Sequence, residues 1–436
     1  MDKRIRQGVF VLFMALLVLP AVQFKFNLVK MRPLGGTYVY EERPSFTKKE
    51  WLKGEYQEKY ARYINDHIGF REFFLRSFNQ FCFSVFSIPR AQQIIVGKNS
   101  TLFELNYIRD YTGTSFRGKE VINEQVAKLR FLQDTMNQQG VKLILYFAPG
   151  KASFFPECIP QRYLDSMQAM SNYRYYAQTC REAGLRCFDM NAWFVSQKNK
   201  SPYPLYHRGG IHWSSYGWTL ALDSLCRFMG QQQGTPLPQM EITEVQLSDT
   251  ARDTDNDIEK ALNLLCGLPH DQYAYPLIKI NEGENVRKPS VLIVADSYWW
   301  NVFSSGNTLH VFDGCDFWYY NTEVYYDDGR PMVAADQLNI LSEVQKKDFV
   351  IILSTEANLF NFGWGFIEKL YDQYHQGWSA LASEFSEEEI RGQVEYIRND
   401  PEWMSLIEEK AKANLVPVDT QIRNDALYIL SQRRKE

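Results

Sequence analysis

A short aliphatic strand that ends in a serine is the feature that most restricts how this chain can fold. Residues 291–295 are an uninterrupted run of β-branched and aliphatic side chains, and Asp296 and Ser297 follow at once. Such a run predicts a strand buried on both faces, as in parallel sheets whose two sides are covered by helices. Open α/β sheets bind ligands at the carboxyl ends of their strands. The sequence therefore predicts that Ser297 is presented at the binding edge of an α/β sheet.

Strands alternate with helices through the middle of the chain. Aliphatic runs predict strands at 94–96, 141–148, 185–189, 291–295 and 349–353, and helical periodicity predicts helices at 120–139, 171–183 and 218–229. This alternation predicts a three-layer α/β/α sandwich with a mainly parallel sheet. We place this α/β domain at residues 91–375, after a connector and an aromatic-rich helical segment at 30–90.

The first 29 residues have the composition of a signal anchor. Lys3, Arg4 and Arg6 precede an apolar run from Val9 to Val22. The residues after this run are too large for a cleavage site, which favours an uncleaved anchor. Because basic residues stay in the cytoplasm, the bulk of the chain is expected outside the cytoplasm, held by one membrane helix.

Residues 376–436 predict a helical tail. Ser386 to Glu389 form a capping box, and Ile390, Val394 and Ile397 then make one apolar stripe. Residues 235–284 give no clear pattern. The aspartates between 249 and 257 lack the glycine and the terminal glutamate of a calcium loop, so they predict a solvated acidic turn.

Composition excludes several classes of function. The net charge is −4, the pI is about 6.0, and the basic residues are scattered, so no nucleic-acid partner is expected. The seven cysteines show no spacing for a structural zinc site, and we expect neither a metal nor a cofactor. Cys180 and Cys187 are placed where they could approach each other.

A histidine upstream supplies what a serine nucleophile requires. His212 lies in a Gly-Gly-Ile-His-Trp segment, and a serine becomes nucleophilic near neutral pH when a histidine accepts its proton. The alternative is structural: Ser297 would cap the following helix. Trp213, Trp299 and Trp300 predict either sugar-stacking walls or ordinary core packing.

Five short motifs in order resemble the periplasmic alginate O-acetyltransferase family of the SGNH-hydrolase-like superfamily, whose wider relatives carry an Asp-His-His-Trp motif. They are IVGK at 95–98, APGKAS at 148–153, PE at 156–157, LYHRGGIHW at 205–213 and ADSY at 295–298. The resemblance implies an SGNH-hydrolase-like fold in which the histidine precedes the serine. Ser297 would form an acyl-enzyme and His212 would be its base, with Asp296, Trp213 and Tyr298 as supporting motif residues.

The resemblance also implies a substrate site. Lys151 would lie at its rim or else be a solvated loop lysine, and Arg208 would contact the donor or a polyanion, or pair with a surface acid. A loop amide near Ser297 and Tyr298 would stabilise the oxyanion. The family has an aspartate two residues before the histidine, where this chain has Gly210.

The replacement at Gly210 leaves three interpretations open. They are a site that works as a serine–histidine dyad, a site in which another acid such as Asp189 replaces the missing one, and a protein that binds glycan without catalysis. The functions expected are accordingly an O-acetyltransferase acting on a polysaccharide, with a multi-spanning membrane acyltransferase as donor partner; a carbohydrate esterase; or a non-catalytic glycan-binding subunit of an export or modification complex.

Overall fold

The computed structural model describes residues 3–36, 39–281, 283, 285–382, 384–413 and 416–434. The helices are α1 Lys3–Phe26, α2 Lys48–Lys53, α3 Glu55–His67, α4 Arg71–Phe86, α5 Leu105–Tyr111, α6 Lys119–Gln138, α7 Lys151–Phe154, α8 Gln161–Leu164, α9 Asn172–Glu182, α10 Met190–Gln197, α11 Ser215–Gln233, α12 Asp257–Leu262, α13 Trp299–Ser304, α14 Thr308–Val311, α15 Ile340–Val344, α16 Phe366–Ala382, α17 Glu387–Arg398, α18 Pro401–Ala413 and α19 Val418–Arg433. The strands are β1 Ile94–Val96, β2 Leu102–Glu104, β3 Lys142–Ala148, β4 Cys187–Asp189, β5 Gln239–Ser248, β6 Tyr273–Asn281, β7 Val291–Ala295, β8 Cys315–Tyr319, β9 Glu323–Tyr326, β10 Val333–Ala334 and β11 Phe349–Thr355.

A seven-stranded sheet forms the framework of the α/β part. Its strand order is β10-β9-β8-β7-β11-β3-β4, with parallel pairing from β8 through β4 and antiparallel pairing of β9 and β10 at the other edge. Strand β7 lies between β8 and β11, and all five of its side chains are fully buried. The predicted mainly parallel sheet is confirmed, and so is its buried strand before Ser297.

Helices cover both faces of this sheet. On one face, α6, α9, α15 and α16 pack on side chains such as Leu145, Val294 and Ile352. On the other face, Tyr146 contacts Trp213, and Trp213 contacts Phe194 of α10. The alternation of strand side chains between two helical layers is what makes the run in β7 continuously apolar.

The chain divides into two compact units. The smaller contains residues 1–103, 208–211 and 256–270, and the larger contains 104–207, 212–255 and 271–436. In the smaller unit, the helical segment around 51–86 is broken into α2, α3 and α4. Gly54 ends α2 with a φ of 83°, in the left-handed region that glycine adopts at little cost.

Residues 235–284 contain a hairpin that the sequence pattern did not reveal. Strands β5 and β6 pair antiparallel over most of their length. Between them, Asp255 is 2% exposed and accepts a hydrogen bond from the backbone nitrogen of Ser215 at 3.2 Å. The expectation of a solvated acidic turn is therefore wrong for Asp255, because a tertiary partner removes it from water.

The helical tail forms its own small core. Ile397, Ile407, Ile422 and Ala426 are buried against one another from α17, α18 and α19, and Ser386 makes the predicted capping box. Helix α18 contacts α6, and α19 contacts α16, so the tail docks on the α/β body within the larger unit. Cys180 and Cys187 do lie beside each other, as free thiols.

Candidate active site

A buried carboxylate holds the turn that carries Ser297. Oδ2 of Asp296 accepts hydrogen bonds from the backbone nitrogen of Thr355 at 2.8 Å, from Oγ1 of Thr355 at 2.7 Å and from Nδ2 of Asn358 at 2.9 Å. Its Oδ1 accepts from the backbone nitrogen of Tyr298 at 3.1 Å. Asp296 is fully buried. It therefore fixes the end of β7 against the end of β11, and Ser297 lies between two anchored residues.

A closed loop brings His212 to the same edge. Tyr206 and Trp213 pair in an isolated antiparallel bridge, and the backbone nitrogen of Ser214 donates to the carbonyl of Leu205 at 2.8 Å. The hydroxyl of Ser214 then caps α11 by accepting from the backbone nitrogen of Gly217 at 2.9 Å. The start of α11 and the bridge together fix the backbone next to His212.

The two predicted catalytic side chains are in hydrogen-bonding contact. Nε2 of His212 lies 2.9 Å from Oγ of Ser297, within the roughly 4 Å expected of a nucleophile and its base. Both side chains are partly exposed, so a substrate can reach them. Ser297 does not cap α13, whose N-cap residue is Tyr298 without a side-chain cap, so the structural alternative for this serine is wrong.

Two hydrogen-bonded tyrosines lie next to His212. The hydroxyls of Tyr298 and Tyr206 lie 2.9 Å apart, and the Tyr206 hydroxyl donates to the carbonyl of Pro149 at 2.7 Å. The ring of Tyr298 is 4.9 Å from that of His212. Burial raises the pKa of Tyr298 well above its ordinary value, so this phenol stays neutral. Tyr298 is fully buried and acts by packing rather than by touching a substrate.

Tyr320 is a site residue that sequence analysis did not select. Its backbone has a φ of 49°, which is unfavourable for a bulky residue, and its nitrogen donates to the carbonyl of Ala295 at 2.9 Å. Burial raises the pKa of Tyr320 to about 12, while hydrogen bonds with the side chain and backbone of Ser297 act in the opposite direction. The phenol is thus protonated, and its oxygen accepts from the backbone nitrogen of Ser297 beside the nucleophile. The only local signal is its position directly after strand β8.

The oxyanion donor expected at Tyr298 is not available. The backbone nitrogen of Tyr298 already donates to Oδ1 of Asp296. An amide committed to a carboxylate cannot also stabilise a developing oxyanion. The hydroxyl of Tyr320 remains beside the nucleophile, and the backbone nitrogen of Ser297 already donates to its oxygen.

Asp189 has a local structural role. Its carboxylate accepts from the hydroxyl of Tyr173 at 3.0 Å and from the backbone nitrogen of Ala192 at 2.9 Å, which caps α10. Burial raises its pKa. Within the described residues, none of its hydrogen bonds reaches His212, so its role as the acid partner stays a prediction that this geometry does not favour.

The remaining predicted residues are distributed differently from expectation. Lys151 is completely buried at the start of α7, so the solvated and rim locations are both wrong, and a substrate contact stays a prediction. Arg208 and Gly210 belong to the smaller unit, and their roles also stay predictions. Trp213 and Trp299 are 1% exposed and fill the core, so they do not form sugar-stacking walls.

Two acids near the same sheet edge were not anticipated. Glu356 directly follows β11 and is 1% exposed, and its Oε1 accepts from the hydroxyl of Ser153 at 2.7 Å. Asp110 is equally buried and accepts from Nδ2 of Asn172 at 2.7 Å. Burial raises the pKa of both, and their mutual repulsion adds to the rise for Glu356, so one proton at least is retained near neutral pH. In the part of the chain that the structure describes, no group of three potential ligands could hold a metal.

Comparison with known proteins finds a family model that matches part of this chain. Residues 94–285 match the model described as the SGNH hydrolase-like domain of acetyltransferase AlgX, a segment that includes His212 and ends before Ser297. This part of the chain is therefore similar to an SGNH-hydrolase-like domain, and the predicted resemblance to the AlgJ and AlgX alginate O-acetyltransferases is confirmed.

One curated relative and two solved structures are also similar to parts of this chain. The probable alginate O-acetylase AlgJ of Pseudomonas putida is 23% identical over 139 residues, 32% of this chain and 34% of that protein, so the chain spans about a third of the relative's length. The O-acetyltransferase domain of Pseudomonas putida AlgJ is similar with a TM-score of 0.42 and 17% identity, covering 64% of this chain and 99% of that one. Pseudomonas aeruginosa AlgX follows with a TM-score of 0.40 and 14% identity, covering 63% and 67%. Likenesses this distant do not bear on activity.

Proposed function

We propose that this protein is a membrane-anchored, extracytoplasmic O-acetyltransferase that acylates a polysaccharide through an acyl-enzyme on Ser297. The observation that carries the proposal is the 2.9 Å contact between Nε2 of His212 and Oγ of Ser297, at the carboxyl edge of a parallel sheet. A serine hydroxyl is a poor nucleophile near neutral pH, and this contact is what activates it.

The geometry supports a two-step acyl transfer. Oγ of Ser297 forms a bond to the acyl carbon while Nε2 of His212 takes the serine proton. The tetrahedral oxyanion receives a hydrogen bond from the hydroxyl of Tyr320. The carbonyl re-forms as the leaving group departs with the proton from His212. A sugar hydroxyl then gives its proton to His212 and attacks the acyl carbon, and Ser297 is released with its proton restored.

The charge that forms on His212 needs compensation that Gly210 cannot provide. We propose that Asp255 contributes it, because this buried carboxylate hydrogen-bonds Ser215, three residues after the histidine. Burial raises its pKa to about 6, so it is ionised above that pH. Asp255→Asn should lower kcat at pH 8 by about tenfold or more, whereas Asp189→Asn should change it less than about threefold. Equal effects of the two variants would contradict this assignment.

Helix α1 is the proposed anchor. It is the one helix in the described part of the chain long and apolar enough to cross a membrane, and only 11% of its most apolar window is buried, unlike a core helix. Because Lys3, Arg4 and Arg6 precede the apolar run, its other end and the catalytic body would face the periplasm, with α1 spanning the inner membrane. One spanning helix provides no path for an acyl donor, so a separate multi-spanning membrane acyltransferase is the proposed donor partner.

Fluorophosphonate labelling tests the proposed nucleophile. The purified full-length chain should be labelled on Ser297, and Ser297→Ala should abolish the label. Ser305→Ala, a nearby serine whose hydroxyl donates to the carbonyl of Val302, should retain it. A well-folded protein that takes up no label would remove the enzymatic proposal.

An acceptor assay separates transfer from hydrolysis. With a chromogenic acetyl ester and an oligosaccharide, acetylated sugar identifies a transferase and free acetate alone identifies an esterase. The replacement at Gly210 favours a second candidate, a glycan-binding subunit without turnover. That candidate requires oligosaccharide binding that is unchanged in Ser297→Ala and His212→Ala.

A further inference from the structure

One face of α4 carries an exposed apolar stripe. Phe74, Phe78, Phe81 and Val85 follow one another at spacings of four, three and four residues, which places them on a single helical face. Their exposed fractions are 44%, 49%, 55% and 58%. Four large apolar side chains in a row on the exposed surface of a helix indicate that an apolar partner covers them.

The opposite face of α4 holds the helix in a fixed orientation. Arg76 is 6% exposed and donates to the backbone carbonyls of Arg32 at 2.9 Å and Pro33 at 2.7 Å. Nδ2 of Asn79 donates to the carbonyl of Leu262 at 2.9 Å in the same unit. These hydrogen bonds prevent the helix from rotating its phenylalanines inward, so the stripe stays on the outer surface.

The start of α4 lies against the last two turns of α1. A Cβ added to Gly69 would lie 2.5 Å from Cβ of Gln23, so only glycine permits this approach. Phe24 and Tyr63 are also in edge-to-face contact, with 6.4 Å between ring centroids. Helix α1 has 24 residues and is about 36 Å long, slightly more than the roughly 30 Å hydrocarbon core. Its last turns therefore reach the interfacial layer, and α4 begins at that level.

We propose that α4 lies on the outer surface of the membrane, with the stripe from Phe74 to Val85 inserted among the phospholipid acyl chains. The inference rests on the proposed anchoring by α1. The chemistry fits lipid: the stripe contains no charge, and Arg90 lies over the ring of Phe78 at 5.2 Å, where its guanidinium can meet headgroup phosphates. The smaller unit would then be held by two elements, a spanning helix and an interfacial helix.

Nitroxide accessibility in lipid nanodiscs tests this placement. The full-length chain, with the exposed Cys266 and the partly exposed Cys187 replaced by serine, is reconstituted in phosphatidylethanolamine and phosphatidylglycerol. Single cysteines for labelling replace Phe78, Phe81, Leu12 in the spanning helix, and Tyr396, which is 62% exposed on the tail and serves as the aqueous control. Collision rates with oxygen, which concentrates in lipid, and with a water-soluble nickel chelate are compared.

The labels at 78 and 81 should resemble the label at 12, with oxygen accessibility several-fold above nickel accessibility, and the label at 396 should show the reverse. If the label at 12 is in lipid while those at 78 and 81 are in water, the interfacial helix is refuted and the anchor stands. If the label at 12 is also in water, the anchor itself fails. If both reagents fail to reach 78 and 81, protein covers the stripe, as a second copy would, and the lipid proposal is overturned. Circular dichroism spectra like those of the parent chain establish that each variant is folded.

Discussion

Replacing Asp296 by asparagine is expected to weaken the turn that holds Ser297 while leaving the Ser297 side chain itself unchanged. Oδ2 of Asp296 accepts three hydrogen bonds and Oδ1 accepts one, so both oxygens act as acceptors. An asparagine can present a single carbonyl oxygen. If that oxygen faces Thr355 and Asn358, the new amide group faces the backbone nitrogen of Tyr298, and two donors then oppose each other in the core.

The cost follows from this geometry. One buried amide that loses its acceptor costs about 1–3 kcal/mol. The three remaining hydrogen bonds lose the strengthening that an ionised acceptor provides, which adds about 1 kcal/mol. The free energy of unfolding should therefore fall by about 2–4 kcal/mol. Because Ser297 is held by this turn, consumption of a chromogenic acetyl ester should also fall by at least about tenfold.

Urea unfolding followed by tryptophan fluorescence, on the full-length chain in mild detergent, measures the stability change. Thr355→Ser keeps both donors to Asp296 and should stay within about 1 kcal/mol of the parent. Thr355→Val removes only the hydroxyl, and its free energy of unfolding should lie between those of Asp296→Asn and Thr355→Ser. An Asp296→Asn variant as stable as Thr355→Ser would refute the argument that Asp296 anchors the turn.

Three further changes test other parts of the site. Tyr320→Phe should slow both ester consumption and fluorophosphonate labelling by about 10²-fold, with stability little changed, and an unchanged labelling rate would exclude the phenol as an oxyanion donor. Burial raises the pKa values of Asp110 and Glu356 in the folded state. Above pH ~4 the folded chain therefore binds more protons than the unfolded chain, and the free energy of unfolding should fall as the pH rises. Glu356→Gln should weaken that dependence in urea unfolding at a series of pH values, and a dependence of the opposite sign would contradict it. Gly210→Asp should increase turnover at least tenfold if the site is an undersupported dyad, and no change would favour the binding-protein candidate.

The features that sequence alone determined are those set by near neighbours along the chain. All side chains of the aliphatic run before Ser297 are removed from water only in a strand buried on both faces, and β7 is such a strand. The capping box at Ser386 depends on a spacing of three residues and is present. The pairing of His212 with Ser297 was available because the motif order resembles a known family, not because their separation along the chain predicts contact.

Only the tertiary structure decided which polar groups are buried and which partners they have. The hydrogen bonds between Asp296 and Thr355 join residues 59 positions apart, and no local pattern signals them. The local sequence predicts that Asp255 is solvated, and only the fold brings Ser215 into hydrogen-bonding contact with it. Tyr320 becomes a site residue only because β8 lies next to β7 in the sheet. Periodicity fixes which face of an element is apolar, but the partner of a buried charge depends on how distant segments meet, and that is settled when the sheet assembles.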